Sequence, residues 1–187
     1  MKQLTLITTI LIAFIFSVNI VNAQENELEN VKIGVRLGAN YSKVSGINSK
    51  YKLGVNFDAF TEITLSNNFK IQSELGFARQ GFKPKTSNSK SVNLNYITFS
   101  PVIAKLYLNE KFNVEAGPKL GYLLGGKGIN KKNLNKFDYG VTAGFSYAIS
   151  KKFITVARYN LGLRNLSKQK GSKFKNRGFQ LGFAFVF

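Results

Sequence analysis

The stretch FITVARYNLGLR, residues 153–164, alternates with period two, and its two faces differ in kind. One face carries Phe153, Thr155, Ala157, Tyr159, Leu161 and Leu163; the other carries Ile154, Val156, Arg158, Asn160, Gly162 and Arg164. Such alternation marks a β-strand with a different medium on each side. The arginines decide which side is which. In a membrane strand, an Arg facing lipid at the midplane costs about 2–4 kcal/mol, so the arginine face must turn inward. In water the strand would be inverted, with Arg158 outside and Tyr159 in a core.

The end of the chain bears on that choice. In GFQLGFAFVF (178–187), Phe179, Leu181, Phe183, Phe185 and Phe187 share one face, separated by Gly178, Gln180, Gly182, Ala184 and Val186. Hydrated, such a ladder is a template for aggregation; against hydrocarbon it is at rest. The beginning of the chain agrees. MKQLTLITTILIAFIFSVNIVNAQ has one early lysine, an apolar run from Leu4 to about Val18, and Val21 and Ala23 at the −3 and −1 positions. This is the layout of a signal peptide over 1–23, cleaved after Ala23, with a single membrane anchor as the alternative. Residues 24–31, QENELENV, read as a short acidic periplasmic tail, and 32–187 as one barrel domain. The 187-residue chain has no Cys, His or Trp, but 17 Phe, 8 Tyr and 17 Gly, a β-rich composition without a disulfide framework.

Period-two segments recur at 32–40, 53–64, 69–79, 93–107, 112–123, 136–149, 153–164 and 177–187. The connections alternate in length. Short turns fall at LSNN (65–68), NEK (109–111) and SKK (150–152), and long polar loops at 41–52, 80–92, 124–135 and 165–176. The pattern predicts an all-β, eight-stranded antiparallel up-and-down transmembrane β-barrel, with short periplasmic turns and long extracellular loops. Five of the nine acidic residues, Asp58, Glu62, Glu74, Glu115 and Asp138, fall on polar strand faces with Lys32, Arg36, Lys70, Lys119, Arg158 and Arg164. An eight-stranded lumen has room only for side chains or one small ligand, and unpaired buried charge is costly, so a paired ionic filling is expected. One strand resists. In NLNYITFSPVIAKLY (93–107) neither face is clean, and Pro101, which cannot donate to a ladder, marks a candidate bulge that would switch faces. The strand patterns alone also permit the inverted, soluble arrangement of a lipocalin.

The first strand KIGVRLGANYS (32–42), the proline-bearing YITFSPVIAKLYL (96–108), FNVEAGPKLGYLL (112–124) and the strand ending in Phe187 together resemble the PorT-type outer-membrane β-barrel family, over residues 31–187. The resemblance implies a porin-like small barrel in the outer membrane of a Gram-negative cell. It also implies that the outer-membrane assembly machinery recognises the terminal strand through Phe187, and, for some members, a part in protein secretion or gliding.

Enzymatic chemistry is not expected, and no catalytic, cofactor-binding or metal site is predicted. A Ser hydrolase mechanism lacks its His, and the usual transition-metal ligands are missing. Glu62 and Glu74 could in principle do acid–base work, but pairing with lumenal Lys and Arg accounts for them better. GGKG (125–128) lacks the spacing and helix of a phosphate loop and reads as a flexible loop segment. The basic loops are the clearest functional hint. Lys43, Lys50, Lys52, Lys83, Lys85, Lys90, Lys127, Lys131, Lys132, Lys136, Lys168, Lys170, Lys173, Lys175 and Arg177 lie in or beside loops that contain no Asp or Glu. They point to lipid or lipopolysaccharide phosphates, or to an acidic extracellular ligand; without interleaved aromatics they do not read as a nucleic-acid site. A structural or interaction barrel, most simply a monomer, is expected, with a narrow channel for small polar solutes as the alternative.

Overall fold

A computed structural model describes residues 30–85, 90–128, 133–168 and 174–187. The predicted signal peptide, most of the acidic tail, and Lys131, Lys132, Lys170 and Lys173 lie outside the described residues. The strands are β1 (Val31–Ser45), β2 (Ser49–Thr64), β3 (Phe69–Pro84), β4 (Val92–Tyr107), β5 (Phe112–Lys127), β6 (Phe137–Ala148), β7 (Phe153–Gly162) and β8 (Lys175–Val186). Each pairs antiparallel with the next, and β1 closes on β8 to give a closed barrel. Closure leaves no unpaired strand edge, which a wall immersed in hydrocarbon requires.

At one end the turns are tight because short polar side chains hold them. Asn109 Oδ1 accepts from the amides of Lys111 (2.9 Å) and Phe112 (2.8 Å). Ser150 Oγ accepts from Lys152 and Phe153, and Ser66 Oγ from Phe69. At the other end the strands run farther than their hydrophobic pattern does. The expected loop 41–52 is a hairpin turning over residues 46–48, with Gly46 at φ 89°. The expected loop 80–92 shrinks to 85–91, and Gly125–Lys127 of GGKG belong to β5, so the loop reading of that motif is corrected. The strict short–long alternation therefore fails at the first loop. Where a strand rises out of hydrocarbon both faces become polar and the period-two cue vanishes, while the backbone ladder continues without it. Strand β7, conversely, stops at Gly162, short of the expected Arg164.

The faces fall as the arginine argument requires. Arg36 and Arg158 are 1% and 4% exposed, whereas Leu181, Phe183 and Phe187 are 63%, 66% and 73% exposed. The soluble inversion is thereby excluded. Strand β4 resolves as the proline foretold. Leu94, Tyr96, Thr98 and Ser100 point inward, the register slips at residues 101–102, and beyond the slip Ile103 and Lys105 are the inward ones. The Ser73 hydroxyl of β3 donates to the Pro101 carbonyl at this bulge.

Candidate functional site: the lumenal ion network and the basic loop end

The centre of the barrel is filled by an ionic network. Arg36 of β1 donates to both oxygens of Glu74 on β3 (2.8 and 2.9 Å) and to Asp58 Oδ2 on β2 (2.9 Å). From β7, across the lumen from β3, Arg158 reaches Glu74 Oε2 (2.7 Å) and also bonds Glu115 of β5. Lys105 of β4 donates to Glu62 Oε2 (2.6 Å) and Gln72 Oε1 (2.7 Å), and Lys70 lies 3.4 Å from Glu62 Oε1. Gln72 and Asn56 donate to Glu74 and Asp58. Four acids (Asp58, Glu62, Glu74, Glu115) thus meet four bases (Arg36, Lys70, Lys105, Arg158). Forked Arg–carboxylate bonds fix such a cluster in direction as well as charge.

Small residues make room for it. Gly144 stands opposite Arg158 across β6 and β7, and a side chain there would strike the Arg158 stem. Gly34 faces Phe60 across β1 and β2; a Cβ at that point would enter the Phe60 ring. Phe60 was hidden among polar neighbours in the sequence. It joins Val156, Ala184 and Val186 in an apolar cluster inside the barrel.

The other expected lumenal charges are less involved. Lys119 donates to Asn160 Oδ1 (3.2 Å), and Asp138 accepts from Asn176 (2.8 Å), beside a small cavity of about 40 Å³. Lys32 is exposed near the turn end. Arg164 lies past β7, its guanidinium 5.6 Å from the Phe137 ring centre, and so leaves the predicted network. Glu62 and Glu74, the pair weighed for acid–base work, are each held by cations.

Above the network, toward the loop end, lies an apolar cap. Val44, Phe82, Val92, Leu94, Tyr96 and Leu123 from the strands pack with Leu134 and Leu166 from the two longest connections, and Phe174 packs against them. Those connections are tied together. Leu134 bridges Ser167, Asn135 donates to the Asn165 carbonyl, and Asn165 Oδ1 accepts from the Phe174 amide (2.7 Å). Sequence reading missed this cap; three apolar side chains isolated in polar loops were the only signal.

The outer wall is uncharged through its middle. Toward the loop end the first outward charges include Lys43 and Arg177, which are flanked on their own strands by the buried pairs Ser42 and Val44, and Asn176 and Gly178. Directly beneath them lies a row of rings: Tyr159 and Phe179 have centroids 5.0 Å apart, and Tyr41 stacks on Tyr51 at 4.7 Å. Aromatic rows of this kind mark membrane interfaces.

A family model described as an outer membrane protein beta-barrel domain matches residues 22–168. The chain belongs to that family. As a member of the outer-membrane barrel family it is assigned to the outer membrane, as the wall chemistry requires. Among solved structures, the family member here is similar to neisserial surface protein A, at 18% identity, covering 83% of this chain and 97% of that one, with a TM-score of 0.56. It is also similar to Ail, the attachment invasion locus protein of Yersinia pestis, solved with the heparin analogue sucrose octasulfate, at 16% identity over 84% and 99% of the two chains, with a TM-score of 0.48. At these identities the first likeness shows the fold alone. No curated protein matches the chain.

Proposed function

We propose that the protein is a non-enzymatic, non-conducting barrel with a structural or interaction role at the surface of a Gram-negative cell. Its turn end faces the periplasm and its basic loop end faces outward. The observation that carries this reading is the filling of the lumen: the Arg36–Glu74–Arg158–Glu115 bridge crosses it from β3 to β7, and the apolar cap lies above. The loop end supplies the interaction surface, through lysines and arginines directed at lipopolysaccharide phosphates or an acidic extracellular ligand. Residues 1–23 act as the export signal in this reading. The exposed Phe187 ring, packed edge-on against Phe185 (5.6 Å), is the feature offered to the assembly machinery.

Planar-bilayer recording tests the reading. The purified chain should insert, migrate as a heat-modifiable species on gels, and give no steps of current. Steady openings whose size follows salt concentration would support the narrow channel instead. An accessory role in secretion or gliding rests on the PorT-type sequence resemblance; deletion of the gene with secretion of all cargo unchanged removes it.

A further inference from the structure

Lys43 and Arg177 are direct partners across the β1–β8 ladder, and both point away from the lumen. Like charges in that relation repel. No acidic residue is at hand, because the sequence contains none from Tyr41 to Phe57 and none from Phe153 to Phe187. Arg177 Nε is buried and has no hydrogen-bond partner among the described residues. Lys43 leans over the Tyr51 ring, its Nζ 4.6 Å from the centroid. The two cations therefore stand over the aromatic row with charge and donors to spare.

Below that row, on the same strands, the outer wall is hollowed. A depression of about 620 Å³ is lined by Leu37, Ala39, Val55, Ala157, Leu181 and Phe183, among others. Ala39 and Ala157 are its low points on either side of Leu181, which pairs with both, and Leu37, Val55 and Phe183 stand beside them. A cationic pair, an interfacial aromatic row and an apolar hollow, in that order down one seam, match the three parts of one kind of molecule.

We propose that the β7–β8–β1–β2 seam is a binding site for an anionic membrane lipid headed by a phosphomonoester, which a zwitterionic phosphodiester lipid does not replace. Its phosphate bridges Lys43 and Arg177, and an acyl chain lies in the hollow. The phosphate supplies the negative charge that the ladder lacks and accepts from the Arg177 guanidinium, whose planar fork suits phosphate. The inference rests on the reading of this wall as lipid-facing.

The test uses the full chain in phosphatidylcholine vesicles doped with diphosphoryl lipid A, with native mass spectrometry counting the lipid A retained. The wild-type protein should retain it, and should not retain the dephosphorylated lipid. The K43Q/R177Q variant should weaken retention by about tenfold or more, as loss of charge-assisted bonds implies. Ala157→Phe, which fills the hollow and leaves both charges, should weaken it as well, while K111Q/K151Q at the turn end should not. Equal retention by K43Q/R177Q, equal retention of the dephosphorylated lipid, or displacement by the same concentration of inorganic phosphate overturns the site. A wild-type chain that never becomes heat-modifiable in vesicles instead overturns the barrel reading beneath it.

Discussion

At the scale of single residues, Glu74 carries the most connections in the lumen. It joins Arg36 of β1 with Arg158, which reaches it across the lumen from β7, and Gln72 besides. Removing one member of a buried ion cluster strands the others, at a typical cost of about 3–5 kcal/mol. Glu74→Gln should lose stability of that order in urea unfolding from vesicles, whereas Glu110→Gln, in an exposed turn, should lose almost none. An unchanged midpoint for Glu74→Gln would mean that the network does not hold the barrel together. A second residue-scale expectation concerns Gly34. Gly34→Val should be strongly destabilising, and Phe60→Ala in the same chain should restore part of the loss by vacating the space that the new side chain needs. The inward face of the charges was legible in the sequence, because the cost of placing Arg against lipid is a property of Arg alone. Their partners were not, since Arg36 and Glu74 are brought together by strand tilt and register. Phe60 was illegible for the opposite reason: an apolar residue on a polar face gives no sign of which neighbours will enclose it.

At the scale of the element, β4 shows one backbone irregularity turning an ambiguous sequence into a clean wall. The slip at residues 101–102 lets Thr98 and Ser100 share the lumen with Ile103 and Lys105. Deleting Val102 should remove the slip and force one half of the strand outside in. If Lys105 is turned to lipid near the midplane, the cost is about 2–4 kcal/mol, and the open ladder adds to it. The deletion should sharply lower the heat-modifiable fraction recovered from outer membranes; a normal yield would show that the bulge is dispensable. Strand ends were the least legible part of the fold. The patterning of β1, β2, β3 and β5 stops where hydrocarbon stops, but their hydrogen bonds continue to Ser45, Ser49, Pro84 and Lys127. The turn end was readable because Ser66, Asn109 and Ser150 announce their turns locally.

At the scale of the whole molecule, strand count, antiparallel order and the inside-out distribution could be read from the sequence, because each follows from alternation and connection length. The cap could not, because it is made by long-range contacts between Leu134, Leu166 and Phe174 and the strand residues beneath them. In the proposed reading the ionic layer and the cap each close the lumen, which gives an expected result. Replacing Leu134, Leu166 and Phe174 together with Ser should loosen the mouth, seen as faster amide exchange at 133–136 and 165–168, yet leave bilayer recordings silent, since the ionic layer remains. Current through that variant alone would assign the seal to the cap. The same layer bears on how the molecule is made. The acids Asp58, Glu62, Glu74 and Glu115 all sit on β2, β3 and β5, while the two guanidiniums that neutralise most of them arrive on β1 and β7. An unfinished curved sheet of the middle strands would carry surplus negative charge on its concave side, and that surplus vanishes only when the first and seventh strands come round to meet it. Joining the two edges is then also the act that makes the polypeptide fit to reside in oil, so partial products should wait in water rather than sink into the bilayer piece by piece.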